Sequence, residues 1–277
     1  MDIQQFVQLA IKEDIKDGDH STLACIPADA VGQAQLLVKE NGIIAGVEIA
    51  RQLFNAFDST FIFHPLINDG ENVKPGDIVF KIEGSSRSLL SVERLVLNVM
   101  QRMSAIATLT NKYVVALNGL NTKVLDTRKT TPLIRFLEKE AVLIGGGKNH
   151  RMGLYDMIMI KDNHIDFAGG IEKAILKTKD YLNRNNLNLE IEVETRNLLE
   201  VSEVLKTGGV DRIMLDNFNY EDLTKAVKLI DGKYKTEASG GITLDTLRNY
   251  AECGVDFISV GAITHSVKNL DLSLKAC

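Results

Sequence analysis

Over residues 1–100 short apolar runs alternate with turn formers. Gln33–Glu40, Phe61–Leu66 and Asp77–Glu83 read as strands, separated by Asn68-Asp69-Gly70 and Lys74-Pro75-Gly76-Asp77. Between the first two, Val47–Phe57 places Ile49, Leu53, Ala56 and Phe57 on one side of a helix. The segment predicts a small α+β domain. Ser91–Leu117 then carries Val92, Leu95, Val96, Val99, Met103 and Ile106 at three- and four-residue steps, a core helix, whole or broken in two, that joins two halves.

From Thr122 the pattern changes to strand–helix repetition. Strand candidates are Lys123–Asp126, Met157–Lys161, Leu189–Glu194, Arg212–Asp216, Thr236–Ser239 and Phe257–Gly261, and helices Ile171–Leu182, Leu198–Thr207, Tyr220–Ile230 and Leu244–Cys253 lie among them. Such alternation predicts parallel strands with helices outside, as an open sheet or a barrel. One regularity favours the barrel: the strands end on Lys161, Glu194, Asp216, Ser239 and Gly261, the last three steps being 22, 23 and 22 residues. In a β/α barrel the active site is built at the carboxyl ends of the strands, whereas an open sheet confines it to a switch point.

Composition adds limits. A chain of 277 residues with a formal charge of −5 gives no reason to expect nucleic acid, and on total charge alone none to expect an anionic substrate. The longest run without Asp, Glu, Lys or Arg, Phe257–Val267, is too short for a membrane span. The N-terminus MDIQQFVQLAIKED is unlike a signal peptide, and Cys25, Cys253 and Cys277 show neither metal spacing nor a disulfide framework, so a reduced cytoplasm is expected.

Candidate chemistry clusters at the strand ends. In Asp126-Thr127-Arg128-Lys129-Thr130-Thr131-Pro132, two adjacent cations can hold carboxylate or phosphate, threonine hydroxyls add donors, and Pro132 is expected to start the next helix. The plain alternative is a solvated turn. Gly145-Gly146-Gly147 allows close approach to a ligand or simply makes a flexible linker; beyond it lie His150, Arg151, Lys161 and His164. In Leu189–Glu194, parity puts Ile191 and Val193 under the helices and Glu190, Glu192 and Glu194 inside the barrel, where acids need partners. Glu194 and Asp216, on neighbouring strands, suit a hydrated Mg²⁺ or pair with nearby lysines. Glu237-Ala238-Ser239-Gly240-Gly241-Ile242 and Ser259-Val260-Gly261-Ala262-Ile263-Thr264-His265 put small residues before helix starts, as phosphate sites or as ordinary tight turns.

DTRKTTP, GGGKNHRMGLYDMIMIKDNH, EIEVET, RIMLDN, EASGGI and ISVGAITHS, in that order, with EDIKDGDHST and VLNVMQRMSAIAT near the N-terminus, resemble the quinolinate phosphoribosyltransferases, also called nicotinate-nucleotide pyrophosphorylases (carboxylating). The resemblance runs along the whole chain. It implies an N-terminal α/β sandwich over 1–104, with the tail 268–277 packing against it, and an incomplete seven-stranded α/β barrel over 105–267, the type II phosphoribosyltransferase architecture. It implies phosphoribosyl transfer from phosphoribosyl pyrophosphate (PRPP) to quinolinate with loss of CO₂ and pyrophosphate, giving nicotinate mononucleotide in de novo NAD biosynthesis. Mg²⁺ would accompany PRPP, with no organic cofactor. The unit would be a homodimer with shared active sites, further assembled into a hexamer in some arrangements, without membrane or nucleic-acid partners.

By position, the resemblance gives Arg102, from the neighbouring subunit, with Arg128, His150, Arg151 and Lys161 to quinolinate. Lys129, Glu194 and Asp216 would be catalytic, the two acids facing the ribose and the Mg²⁺ waters. Thr127, Lys129, Ser239, Gly240, Gly241, Val260, Gly261, Ala262 and His265 would hold PRPP and its phosphate. Leu133, often glycine in relatives, and Glu140, often tyrosine, depart from the pattern. A paralogue with another acceptor and a non-catalytic barrel that senses phosphorylated metabolites are the competing readings. Charge counted locally alters the first impression: Lys123–His164 holds eight Lys and Arg against five acids, a cationic stretch in an acidic chain.

Overall fold

The computed structural model describes residues 2–277. The first part of the chain forms α1 (Ile3–Asp14), α2 (His20–Cys25), β1 (Val31–Val38), β2 (Gly42–Ile43), α3 (Val47–Phe57), β3 (Ile62–Pro65), β4 (Asn72–Val73), β5 (Ile78–Ser85) and α4 (Ser86–Ala116). Then come β6 (Lys123–Leu125), α5 (Arg135–Ile144), β7 (Ile158–Ile160), α6 (Asp162–Ala168), α7 (Ile171–Asn185), β8 (Ile191–Thr195) and α8 (Leu198–Thr207). The chain closes with β9 (Arg212–Asp216), α9 (Tyr220–Ile230), β10 (Lys235–Ser239), α10 (Leu244–Glu252), β11 (Phe257–Ser259), α11 (Ala262–His265) and β12 (Leu272–Ala276). These elements gather into two compact units: the chain up to Asn111 with Thr130–Gly146 and Ile263–Cys277, and Lys112–Lys129 with Gly147–Ala262.

The first unit is built on an antiparallel sheet in the order β12-β1-β5-β3. Alternation sets its buried face: Ala34, Leu36 and Val38 of β1 point to the core with Phe80 and Ile82 of β5. Phe54 of α3 meets Phe80 edge-on with ring centres 5.9 Å apart, and Phe63 stacks at 4.6 Å from Phe80. The long helix does not break; α4 runs through 31 residues and starts five before its apolar period, since Ser86–Leu90 contains no breaker. Its small polar residues tie down the β2 loop: Ser104 Oγ accepts the Ala45 N–H at 2.9 Å and Thr108 Oγ1 the Ile43 N–H at 2.8 Å. Gly46 enters α3 at φ 95°, a left-handed backbone that favours glycine, and a Cβ there would crowd Met103 Sδ at 3.0 Å.

The second unit is a parallel sheet in the order β6-β11-β10-β9-β8-β7, with α7–α10 as the crossover helices. This is the barrel alternative, left incomplete. Six strands hydrogen-bond in series, and the seventh place is held by a single residue, Lys148, which bridges Leu125. Lys148 N–H donates to Val124 O at 2.9 Å and its carbonyl accepts from Asp126 N–H at 3.1 Å. Extended pairing ends there because Asp126 Oδ1 takes the His150 N–H and turns the chain away.

Three local expectations change. Glu190 does not point inward: β8 begins at Ile191, and Glu190 is exposed before it, its carbonyl accepting from Ile158 N–H. Pro132 does not start a helix either. Leu133 sits in the left-handed region at φ 70° and delays α5 to Arg135. The glycine triplet is neither a linker nor a ligand cradle at its first position, since a Cβ on Gly145 would fall 2.5 Å from Ala107 O and 2.8 Å from Thr110 Cβ. There the backbone of α5's end packs directly on α4.

Candidate functional site

All six strands of the second unit run the same way, so their carboxyl ends form one rim. Thr127, Arg128 and Lys129 follow β6, Lys161 follows β7, Glu194 lies one residue before the end of β8, and Asp216 and Ser239 end β9 and β10. Val260, Gly261 and Ala262 follow β11. The expected residues of this unit thus gather on one edge.

Lys161 Nζ stands 3.2 Å from Glu194 Oε2, Glu194 being nearly buried and Lys161 half exposed. His164 serves this corner structurally: its Nδ1 accepts the Lys161 backbone N–H at 2.9 Å and caps α6. On the next strand, Asp216 pairs in register with Ser239 and accepts from Asn217 Nδ2 at 2.6 Å. Two oxygen-rich carboxylates on adjoining strands fit a hydrated divalent cation. With Lys161 already on Glu194, contact through water fits better than direct ligation.

Arg151 is drawn below the usual guanidinium range by burial and then by the positive charge of Arg128. The structure therefore brings two like charges together at the rim, Glu192 and Asp156 offsetting part of the effect on Arg151, and an anion can join them there. Arg151 is fixed by its backbone, which donates to His150 Nδ1 at 2.6 Å, and by its side chain, whose Nη1 donates to Met157 O at 3.1 Å. Asp156 shapes the following turn by accepting from Met152 and Gly153 N–H. Beside β6, Thr127 Oγ1 accepts the Lys129 N–H at 3.0 Å.

Under the rim lies a group that the sequence only half discloses. His150 Nε2 stands 2.9 Å from Glu192 Oε2 and 3.4 Å from Glu237 Oε2, with both glutamates wholly buried. Arg212 Nη1 donates to Glu237 Oε2 at 2.8 Å, and its guanidinium lies 4.6 Å over the Phe257 ring. Burial opposes ionisation of Glu237, but His150, Arg212 and Ser259 outweigh it and hold the acid below its usual range. Burial and the neighbouring Glu237 push Glu192 up. For His150, burial favours the neutral ring, yet the two carboxylates prevail and push it up to about 9.

The Arg151 N–H aimed at Nδ1 requires a lone pair there, which places the ring's own proton on Nε2. The further proton thus belongs to the His150–Glu192 pair rather than to Nδ1. His150, Glu192 and Glu237 also have the make-up of a metal-ligand set. A protonated Nε2 cannot ligate, and Arg212 already occupies Glu237, so this cluster reads as a buried charge network.

At the end of β10, Gly240 and Gly241 adopt φ 104° and 62° ahead of α10, the backbone of a concave turn. Thr243 and Thr246 cap that helix between themselves. The Val260 N–H is used inside the sheet, donating to Leu125 O at 2.9 Å.

Two expected residues belong to the first unit. Arg102, on α4, donates through Nε and Nη2 to Glu138 Oε1 at 3.0 and 2.8 Å, and also to the Thr264 carbonyl. Glu138 is fully buried, and its other oxygen accepts the Thr131 N–H at 3.1 Å. Sequence reasoning missed this pairing; its one visible trace is an acid inside an apolar helix face in Leu137-Glu138-Lys139-Glu140-Ala141. His265 is exposed, its Nδ1 2.6 Å from Ser266 Oγ.

Residues 19–104 and 106–275 match the family models of the quinolinate phosphoribosyl transferase N-terminal and C-terminal domains. Quinolinate phosphoribosyltransferase [decarboxylating] 1b of Nicotiana tabacum is 47% identical, over 99% of this chain and 82% of its own length. A probable nicotinate-nucleotide pyrophosphorylase [carboxylating] of Bacillus subtilis is 43% identical, over 95% and 89%. The crystal structure of NadC from Streptococcus pyogenes is similar with a TM-score of 0.93 at 40% identity, covering 99% of this chain and 95% of that one. The nicotinate-nucleotide pyrophosphorylase structure from Francisella tularensis gives 0.90 at 38%, covering 99% and 96%. With both domain models matched in order and relatives similar along nearly the whole length, the chain belongs to the quinolinate phosphoribosyltransferase family.

Proposed function

We propose that this protein transfers the phosphoribosyl group of PRPP to the ring nitrogen of quinolinate and decarboxylates the product to nicotinate mononucleotide, a step of de novo NAD biosynthesis. The observation that carries this reading is the Arg128–Arg151 pair kept on the same rim as the Glu194 and Asp216 carboxylates. A dicarboxylate needs more than one cation, and a sugar pyrophosphate needs acids beside its ribose as well as cations beside its phosphates.

Arg128, Arg151 and Lys161 bind the quinolinate carboxylates and aim the ring nitrogen at C1 of the ribose. His150 orders the Arg151 backbone. As the nitrogen lone pair forms the new C–N bond, the C1–O bond breaks and its electrons leave with pyrophosphate. Lys129 lies against the departing charge, while Glu194 and Asp216 hold the ribose hydroxyls and favour the oxocarbenium character that develops. Mg²⁺ bound with PRPP would supply further neutralisation of the pyrophosphate, and Glu194 and Asp216 would hold it through its waters. The 5′-phosphate sits in the Ser239–Gly240–Gly241 turn and beside Gly261 and Ala262. When the 2-carboxylate leaves as CO₂, the C–C electrons remain on the ring carbon, stabilised by the adjacent positive nitrogen, until solvent protonates it. No organic cofactor is needed.

Arg102 acts on quinolinate in the neighbouring subunit of a homodimer, a hexamer being a further assembly of such dimers; Glu138 keeps its guanidinium in place. No helix among the described residues is long and apolar enough to cross a membrane. The three cysteines are unbridged, which accords with a reducing compartment such as the cytoplasm.

The test is incubation with quinolinate, PRPP and Mg²⁺, following CO₂ and nicotinate mononucleotide. Use of PRPP with nicotinate alone, and no CO₂ from quinolinate, would overturn the acceptor. Binding of PRPP without turnover would leave a sensor instead. For the shared site, mixing Arg102→Ala and Arg128→Ala subunits should restore activity through mixed dimers; no rescue with subunit exchange demonstrated would reject it.

A further inference from the structure

We infer that Asn217 is a positioning residue that braces the Asp216 carboxylate against the Ser239–Gly240–Gly241 turn, so that one rigid piece reads both the ribose and the 5′-phosphate of PRPP. The inference rests on the function proposed above.

Three contacts define the brace. Asn217 Nδ2 donates to Asp216 Oδ2 at 2.6 Å. Its backbone N–H donates to Ser239 O at 2.9 Å. Its amide occupies the space beside Gly240: a Cβ built on that glycine would fall 2.2 Å from Asn217 Oδ1 and 2.9 Å from Asn217 N. Asp216 and Ser239 are already partners in the sheet, so the brace prolongs the β9–β10 register by one residue beyond the strands.

The residue type is as informative as its contacts. Asn217 has φ 57°, a left-handed conformation that asparagine, aspartate and glycine tolerate best. Glycine would offer no donor to Asp216. Aspartate would set a second negative charge against it. Asparagine alone of the three meets both the backbone and the side-chain demand. Gly240, itself at φ 104°, is the complementary half, because any side chain there would expel the amide.

Asn217 is exposed, and one exposed hydrogen bond contributes little to folding. A binding carboxylate displaced by about 1 Å can nevertheless cost roughly 100-fold in rate. The brace therefore predicts a variant that is nearly as stable as the parent but poor with one substrate.

The experiment compares the full-length protein with Asn217→Gly, Asn217→Asp and Gly240→Ala. Titration calorimetry gives Kd for PRPP with Mg²⁺ and separately for quinolinate; steady-state assays give both KM values, and thermal unfolding reports folding. We expect Asn217→Gly to raise Kd and KM for PRPP by about tenfold or more, as loss of a bond to a charged group does. Quinolinate binding should change by less than about twofold. Gly240→Ala and Asn217→Asp should do the same. Parental PRPP binding in Asn217→Gly, or equal losses for both substrates, would overturn the brace. If Asn217→Gly fails to fold, the isosteric Asn217→Asp decides in its place, and parental PRPP binding at neutral pH in that variant overturns the brace. A parent protein that neither binds PRPP nor releases CO₂ from quinolinate would instead bring down the underlying function, and the brace with it.

Discussion

Glu237 shares one carboxylate oxygen between Arg212, 2.8 Å away, and His150, 3.4 Å away, while wholly excluded from solvent. An acid so placed is tolerable only while its cations remain. Arg212→Met should therefore destabilise the fold by about 3–5 kcal/mol, the usual cost of stranding a buried charge. Arg212→Met combined with Glu237→Gln should recover much of that loss. Urea unfolding of the two variants is the measurement, and an additive double mutant would contradict the pairing.

The same network makes stability depend on pH. The folded pair keeps a proton that an unfolded histidine releases at its ordinary value of 6.5, and holds it to about 9. Its contribution is complete below pH 6.5 and is lost as pH rises through about 9, amounting to about 3 kcal/mol. Unfolding free energies measured across that window should fall with pH in the parent. In His150→Asn that slope should flatten.

Glu138 offers a test of how Arg102 is held. With both acceptor oxygens replaced by an apolar side chain, the guanidinium loses two of its three bonds, so Glu138→Leu should raise KM for quinolinate by about tenfold while KM for PRPP stays near the parent value. Equal effects on both substrates would argue that Glu138 supports folding alone.

Leu133 is 68% exposed and held at φ 70°, a conformation that costs a branched side chain roughly 1 kcal/mol. Leu133→Gly should therefore raise the unfolding free energy by about 1 kcal/mol, with kinetics unchanged. Destabilisation would mean that the leucine makes apolar contacts worth more than the strain.

Much of this organisation can be read from the sequence where the signal is local. Val47–Phe57, Leu198–Thr207 and Tyr220–Ile230 form the helices their apolar spacing predicts, two of them starting just after Asn197 and Asn219, which accept helix N–H groups. The strand-end acids and cations are legible because parallel strands repeat on one period. What escapes is set by neighbours remote in sequence. Arg102 and Glu138 lie 36 positions apart, and His150, Glu192, Arg212 and Glu237 come from a loop and three strands. Strand parity turns Glu192 inward, but nothing in EASGGI says that Glu237 meets it there. Leu133 and Gly145 show the same limit for the backbone: the left-handed turn and the close approach to Ala107 are properties of packing, not of composition.

The chain crosses from one compact unit to the other at Asn111, Lys129, Gly146 and Ala262. Anyone wishing to dissect the protein meets an obstacle in that itinerary. A fragment cut at Asn111 lacks α5, which brings Glu138 to Arg102, and lacks β12, which pairs with β1; the remainder begins with the severed end of α4 and ends with an orphaned tail. No single scission yields two autonomous pieces, so split reporters, domain swaps and truncation libraries should be designed around exposed loop tips such as Asp231-Gly232 rather than around the middle of α4.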